Sequence, residues 1–264
     1  MSLLAEIVAT KRAEVAELRA TPRGPGARAT RATVDVVGAL RRAPGTPLRL
    51  IAEVKLRSPS AGSLSRALTP AARAMAYAEA GAAMVSVLCD RVYFDGSWSD
   101  LASCRTHLDG AGRLVPLLAK EFVIDERQVE EARDRGADAV LLIARIVSRA
   151  QLADLAGAAR AEGIEPLVEV VDESELDAAV EARGRVIGVN ARDLDSLVMD
   201  AARTARVLAA IPPDIVAVHL SGLRTSADVA RVARDRADAA LVGEALMRQD
   251  DPRSLLTAMV RQAQ

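Results

Sequence analysis

Short apolar runs alternate with helical patterns along this chain, and this alternation is the feature that most limits the folds open to it. The runs have the length of buried strands, and the stretches between them are long enough for helices. We predict strands over residues 48–54, 84–88, 114–119, 138–143, 166–170, 186–190, 215–220 and 239–243. Eight strand–helix units in succession predict an α/β fold, the (β/α)8 barrel or TIM barrel.

The helical patterns complete these units. We predict helices over residues 70–80, 126–135, 150–161, 173–182, 200–209, 226–235 and 252–262. The alternative α/β fold is a doubly wound open sheet, which usually carries a glycine-rich nucleotide loop after its first strand. No such loop follows the first predicted strand, so the count of eight favours the barrel.

The residues before the first strand are predicted to extend the barrel. Residues 3–20 have the spacing of an amphipathic helix, and the Pro- and Gly-rich residues 21–26 end it. A second short helix is predicted over residues 31–43. We therefore expect one domain over the 264 residues, with an N-terminal helical extension at 1–46 and the barrel at 47–264.

Composition narrows the classes of partner. The chain has 35 Lys and Arg against 36 Asp and Glu, which is not the basic balance of a nucleic-acid binder. It contains no long apolar span, so no membrane partner is expected, and its first residues lack the pattern of a secretory signal, which predicts a cytoplasmic protein. Cys89 and Cys104 lack the spacing of a metal or redox site, and only two histidines are present, so we expect no metal and no cofactor.

The first strand ends in two charged residues, Glu53 and Lys55. Side chains two residues apart on a strand point to the same face. Burying two charges in an apolar strand is costly unless they serve a site. The turn Ser58-Pro59-Ser60 then offers hydroxyls and backbone N–H groups. Together these residues predict an anionic substrate at the barrel mouth, where the strands end.

Later strand ends carry more polar side chains. Lys120 ends the third strand and Glu169 lies in the fifth. Asn190 is the last residue of the sixth strand, and Arg192 follows it. Taken singly, each has a structural explanation, such as a lysine that reaches solvent or an arginine paired with Asp193. Around one barrel mouth they instead predict an acid–base site that binds a carboxylate.

The last two strands end in Ser221-Gly222 and Gly243-Glu244. As isolated dipeptides these would be ordinary turn residues. In a (β/α)8 barrel, however, the loops after strands 7 and 8 often bind phosphate through their backbone N–H groups. We therefore predict a small phosphorylated substrate.

In this order and spacing, the residues resemble the indole-3-glycerol phosphate synthase family over nearly the whole chain. The motifs that carry the resemblance are Ile51-Ala52-Glu53-Val54-Lys55, Ser58-Pro59-Ser60, Phe94-Asp95-Gly96-Ser97, Lys120-Glu121-Phe122-Val123-Ile124-Asp125, Leu167-Val168-Glu169-Val170, Gly188-Val189-Asn190 and Leu241-Val242-Gly243-Glu244.

The resemblance implies a carbon–carbon lyase of tryptophan biosynthesis or of a specialised indole pathway. The family closes 1-(2-carboxyphenylamino)-1-deoxyribulose 5-phosphate to indole-3-glycerol phosphate, with loss of CO2 and water and without a cofactor. By similarity, Lys120 is the general acid and Glu169 the base, and Lys55 and Glu53 complete the catalytic set. The implied binding residues are Asn190, Arg192, Ser58 and Phe94 for the substrate, and Ser221, Gly222, Gly243 and Glu244 for its phosphate. We expect a monomer or a weak homodimer.

One departure from the family pattern affects function. The seventh strand usually ends in Glu-Ser-Gly, whereas this chain has Leu220-Ser221-Gly222, and leucine cannot accept a proton or a hydrogen bond. His219 is adjacent, but strand alternation should point it away from the barrel interior. The alternatives to a working synthase are therefore a paralogue with an altered substrate and a non-catalytic phosphate-binding barrel. A sugar-phosphate isomerase fits less well.

Overall fold

Parallel strands form a closed barrel in the computed structural model, which describes residues 2–21, 23, 33–59, 61–193 and 198–263. The barrel strands are β1 (Arg49–Val54), β2 (Met84–Leu88), β3 (Leu117–Lys120), β4 (Ala139–Ile143), β5 (Glu165–Val170), β6 (Val186–Asn190), β7 (Val216–Leu220) and β8 (Ala239–Val242). Each strand pairs with the next, and β8 pairs with β1. The predicted (β/α)8 barrel is confirmed.

The eight strands lie where the sequence predicted them, and the largest difference is at β3. That strand begins at Leu117 rather than at residue 114. Pro116 has no N–H to donate to a neighbouring strand, so the ladder starts after it. A short hairpin, Arg57–Ser58 with Gly62–Ser63, follows β1 above the barrel mouth. Ser60 of the Ser58-Pro59-Ser60 motif is outside the described residues.

Helices surround the barrel. They are α1 (Leu3–Ala20), α2 (Val36–Leu40), α3 (Pro70–Glu79), α4 (Arg91–Phe94), α5 (Trp98–Gly110), α6 (Glu126–Asp134), α7 (Arg149–Ala161), α8 (Glu173–Glu181), α9 (Ala201–Ala210), α10 (Ser226–Val232), α11 (Glu244–Met247) and α12 (Arg253–Gln262), with a 3-10 turn at Ala144–Ile146. None of these helices in the described ranges is long and apolar enough to cross a bilayer.

Four helices differ from the sequence prediction, and two of them, α4 and α11, are four-residue helices that were not predicted. The helix predicted over 31–43 is shorter, because Asp35 caps it by accepting a hydrogen bond from the N–H of Gly38 and Arg41 is already extended. Residues 31 and 32 lie outside the described ranges, as do 22 and 24–26 of the predicted stop after α1. The pattern also gave no signal for α5, whose buried face includes the charged residue Arg105.

The strands are buried on both faces, as expected for a parallel sheet covered by helices. Inside the barrel, Ile51, Met84, Leu118, Leu141 and Leu167 belong to one buried apolar cluster. The outward-facing side chains pack against the helical layer in a second cluster. The barrel interior is therefore filled, and a ligand can enter only at its ends.

The N-terminal extension contacts both ends of the barrel. Leu4 and Ile7 of α1 reach the cavity at the end where the strands finish. Below the other end, the N–H of Val34 donates to Asp138 at the start of β4, with 2.8 Å between nitrogen and oxygen. The N–H of Arg42 donates to Asp238, which precedes β8. The extension is thus held to the barrel by hydrogen bonds and by apolar packing.

His219 on β7 gives a prediction about stability. Its side chain is 7 % exposed, and burial, with a contribution from Arg231, lowers its pKa to about 4 from 6.5. Between these two pH values position 219 binds more protons in the unfolded chain than in the folded one, so the stability that His219 contributes is lost as the pH falls from about 6.5 towards 4. This loss amounts to about 2 kcal/mol between pH 7 and pH 5.

We expect His219→Gln to remove that pH dependence in urea unfolding measured at pH 7 and pH 5. His107→Gln is the matched control, since His107 is exposed on α5 and its replacement should leave the pH dependence as in the wild type. Equal pH dependence in the wild type and in His219→Gln would contradict the prediction.

Candidate active site

The structure brings all the predicted site residues to one cavity at the end of the barrel where the strands finish. Its lining includes Glu53, Lys55, Ser58, Phe94, Lys120, Glu169, Asn190, Arg192, Ser221, Gly222, Gly243 and Glu244. These residues come from the ends of seven of the eight strands and the segments that follow them. The barrel geometry therefore places them side by side although they are far apart in the sequence.

At the end of β1, Glu53 and Lys55 form an ion pair, with 2.6 Å between Lys55 Nζ and Glu53 Oε1. Glu53 is only 2 % exposed, and its backbone oxygen accepts a hydrogen bond from the hydroxyl of Tyr77. Gly243 lies directly against the carboxylate, since a Cβ atom built there would stand 2.5 Å from Glu53 Oε1. The absence of a side chain at position 243 leaves the room that Glu53 needs.

A second charged pair joins β3 to β5. Lys120 Nζ lies 3.5 Å from Glu169 Oε2, and the amide of Asn190 donates to the other carboxylate oxygen, Oε1, at 2.9 Å. The hydroxyl of Ser221 donates to Asn190 Oδ1 at 2.7 Å, and the backbone N–H of Arg192 donates to the same oxygen. Both oxygens of Glu169 therefore have partners, which fixes the carboxylate beside the ammonium group.

The loop after β7 has an unusual backbone. Ser221 and Gly222 both have positive φ angles, 66° and 86°. Glycine adopts this conformation readily, and at position 222 a Cβ atom would also approach Met199 Cε to 2.4 Å. The turn brings the backbone of these residues to the cavity, next to Arg224, a lining cation for which the sequence analysis had no signal.

Beside this turn, the carboxylate of Glu244 is already engaged. It accepts hydrogen bonds from the guanidinium of Arg248, at 2.8 Å from Nη2, and this contact lowers the pKa of Glu244 below its usual value. The side chain of Glu244 thus carries a charge that Arg248 balances. Its backbone is the part that can serve an anion, as the sequence analysis predicts.

Leu220 occupies the barrel interior at the end of β7. The side chain lines the cavity and is 2 % exposed. A Cβ atom at Gly188 would lie 2.5 Å from Leu220 Cδ1, so the leucine fills space that the neighbouring glycine leaves. The adjacent His219 is not among the lining residues, and the charges that affect its pKa, Arg231 and Asp235, belong to the α10 region. The predicted outward direction of His219 is confirmed.

Apolar side chains form one wall of the cavity, and of these the sequence analysis predicted only Phe94. The rings of Phe94 and Phe122 lie 6.0 Å apart between centroids and are tilted by 34°. Leu3, Leu4 and Ile7 of α1 complete this wall. Their amphipathic spacing predicted a helix, but nothing in the local sequence indicated that this helix would reach the barrel mouth.

Two further facts concern metals and thiols. Among the described residues, no group of three or more His, Cys, Asp or Glu side chains is arranged to hold a metal ion. Cys89 and Cys104 are buried free thiols, and burial raises the pKa of both. Neither belongs to the cavity lining.

A closed (β/α)8 barrel with two lysine–glutamate pairs at its mouth defines a barrel protein suited to acid–base chemistry on an anionic molecule. The family model for indole-3-glycerol phosphate synthase matches residues 4–259. The chain is 41 % identical over 264 residues to indole-3-glycerol phosphate synthase 1 of Streptomyces coelicolor, covering 98 % of this chain and 95 % of that protein. This chain belongs to the indole-3-glycerol phosphate synthase family.

Two other similarities add context. A multifunctional tryptophan biosynthesis protein of Schizosaccharomyces pombe is 41 % identical over 203 residues, which span 77 % of this chain and 27 % of that protein. The solved structure of a 3-hexulose-6-phosphate synthase superposes with a TM-score of 0.63 at 16 % identity, covering 81 % of this chain and 99 % of that one. The second similarity shows the fold alone.

The contact between Gly243 and Glu53 yields a test of the site. We expect Gly243→Ala to lower turnover at least tenfold, because the added methyl group must displace the Glu53 carboxylate from Lys55. Gly157→Ala is the matched control: nothing lies within 4 Å of a Cβ atom there, and alanine favours the helix. Steady-state kinetics and thermal unfolding of both variants check this, and unchanged turnover in a folded Gly243→Ala would contradict it.

Proposed function

We propose that this protein is an indole-3-glycerol phosphate synthase, a decarboxylating carbon–carbon lyase of tryptophan biosynthesis. Its substrate is then 1-(2-carboxyphenylamino)-1-deoxyribulose 5-phosphate. The observation that carries the proposal is the Lys120–Glu169 pair, with 3.5 Å between its charged atoms, in a cavity that also contains Glu53, Lys55 and Arg192. Membership of the family supports the same conclusion.

The reaction needs an acid first. The aromatic carbon that bears the carboxylate attacks the ribulose carbonyl carbon, and a carbon–carbon bond closes the five-membered ring. Lys120 donates a proton to the carbonyl oxygen, which becomes a hydroxyl group, and the ring nitrogen carries the positive charge of an iminium-like intermediate. Loss of CO2 returns the electron pair of its bond to the ring, which neutralises that charge.

The reaction then needs a base. The new hydroxyl group receives a proton from Lys55 and leaves as water, and a proton is removed from the neighbouring ring CH2 group to form the indole double bond. Glu169 accepts that proton, because Asn190 fixes its carboxylate beside Lys120, which gave up a proton in the first step. Glu53 and Lys55 form the second pair, which orients the sugar hydroxyls and the carboxylate of the substrate.

Binding uses the remaining lining residues. Arg192 offers a fork of N–H donors to the substrate carboxylate. The aromatic ring packs on Phe94, and Ser58 contacts the sugar. At the other side of the cavity, the phosphate binds the backbone of the β7 and β8 ends, with Arg224 as a nearby cation. The residues of that phosphate site are Ser221, Gly222, Gly243 and Glu244.

We also propose a cytoplasmic protein that is a monomer or a weak homodimer. Two buried, free cysteines support a reducing compartment.

A second candidate function rests on Leu220. The leucine lies in an apolar floor with Leu141, Ile143 and Leu241, where the family resemblance calls for a carboxylate. Glu169 must then act without a carboxylate from β7. A paralogue that accepts a substrate with added apolar groups, or a barrel that binds phosphate without turnover, would fit this floor.

One assay separates these candidates. We expect the purified protein to convert the standard substrate to a product with indole fluorescence, and Lys120→Ala to lower the rate at least 100-fold, the usual range for losing a general acid. Arg149→Ala, which removes an exposed cation paired with Glu181, should keep the wild-type rate. Binding without turnover at high enzyme concentration would support the non-catalytic barrel and contradict the proposal.

The role of the missing carboxylate can be tested directly. We expect Leu220→Glu to preserve or raise the rate, because the new carboxylate would face a cavity that contains Lys120, Arg192 and Arg224. Leu220→Met is the control for the change in shape alone. A tenfold loss in a folded Leu220→Glu, with Leu220→Met unaffected, would show that this cavity requires an apolar side chain there.

A further inference from the structure

Lys11 on α1 is a fully buried cation outside the catalytic pairs. Its side chain is 0 % exposed, and its Nζ lies 2.7 Å from Glu14 Oε2, 2.7 Å from Asp90 Oδ2 and 3.0 Å from Glu121 Oε1. Burial alone would lower the pKa of Lys11, but the surrounding carboxylates outweigh it and hold the pKa above its usual value. The ammonium group is therefore charged at neutral pH.

Two of these carboxylates also hold the backbone of cavity residues. Asp90 uses its other oxygen, Oδ1, to accept from the N–H groups of Tyr93 and Phe94, at 2.6 and 3.1 Å. Glu121 Oε1 accepts from the N–H of Phe122 at 2.7 Å. The ammonium group of Lys11 thus contacts both of the carboxylates that hold the backbone of Phe94 and Phe122.

Those phenylalanines form the aromatic pair of the cavity wall, with ring centroids 6.0 Å apart. α1 adds Leu4 and Ile7 to the same apolar cluster. A tilted pair of rings at this separation is a favourable arrangement, and it presents a fixed apolar surface to a planar ligand. The position of that surface depends on two loops, after β2 and after β3, which the ammonium group of Lys11 joins.

We propose that Lys11 is a positioning residue for the aromatic half of the substrate: through Asp90 and Glu121 it fixes Phe94 and Phe122. This inference rests on the function proposed above, since it assigns the aromatic wall to the ring of that substrate. Lys11 touches no reacting atom in this arrangement. Its removal should weaken binding of the ring and leave the phosphate end of the cavity, formed by the β7 and β8 loops, unchanged.

The charge balance explains why the ammonium group is needed. Burial raises the pKa of Glu121 to about 7 even though Lys11 lowers it. Without Lys11, Asp90 and Glu121 would be two buried carboxylates with no shared cation, and removal of one partner of a buried ion pair is strongly destabilising. The loops would then separate or take up protons, and the two rings would lose their common support.

The test uses Lys11→Met, which keeps much of the side-chain length and removes the charge. Calorimetry measures two probes: the substrate with its carbonyl group reduced to an alcohol, which cannot cyclise, and inorganic phosphate. We expect the dissociation constant of the reduced substrate to rise at least tenfold and that of phosphate to stay within twofold of the wild type. A merely structural role would weaken both probes together, so that result would overturn the inference, as would unchanged binding of the reduced substrate.

Arg23→Met is the matched control. Arg23 also joins the N-terminal extension to carboxylates, 2.8 Å from Asp134, 3.0 Å from Glu162 and 4.0 Å from Glu130, but none of these lines the cavity. This variant should keep both dissociation constants within twofold of the wild type. An equal loss of reduced-substrate binding in Arg23→Met would show general loosening of the extension and overturn the specific role of Lys11.

If Lys11→Met does not fold, Asp90→Asn tests the same link. An amide has one oxygen, which cannot accept from both Lys11 and the Phe94 backbone at the present positions, so binding of the reduced substrate should weaken at least threefold and that of phosphate should not. Wild-type protein that binds the reduced substrate but makes no indole product would contradict the proposed function alone. Unchanged binding in the Asp90→Asn variant would overturn the role of Lys11 alone.

Discussion

Burial of a charged side chain costs several kcal/mol unless an opposite charge lies close to it, and the barrel mouth of this protein is organised by that constraint. Glu53 has Lys55 at 2.6 Å, and Glu169 has Lys120 at 3.5 Å. These pairs tie each carboxylate to one position before any substrate arrives. The preorganisation that acid–base chemistry needs is therefore also what makes the buried charges tolerable in the folded protein.

The sequence predicted those parts of the site that follow from strand periodicity. The two ion pairs, Glu53 with Lys55 and Glu169 with Lys120, lie at strand ends. They could be assigned because side chains alternate along a strand and parallel strands end at one face of the barrel. Phe122 and Arg224 were missed, since each lies in a loop whose direction no periodic pattern gives. Two of the three carboxylate partners of Lys11, Asp90 and Glu121, are distant in sequence, so its burial could not be predicted from α1 alone.

Leu220 replaces the glutamate that usually ends the seventh strand in the family, while the polar residues around it keep their hydrogen bonds. Asn190 still bridges Glu169 and Ser221, although the last residue of β7, which precedes that serine, is apolar. Gly188 leaves the space into which the leucine packs. The hydrogen-bonded network and the apolar floor are thus separate features of the same strand end, and a change in one does not require a change in the other.

The contacts of the N-terminal extension have a consequence for the order of assembly. Lys11 needs Asp90 and Glu121, the N–H of Val34 needs Asp138, and the N–H of Arg42 needs Asp238 from the last strand unit. On the ribosome, the extension emerges before any of these partners exists. The extension is therefore made before the residues that hold it, and its contacts can be completed only after Asp238, in the last strand unit, has been made.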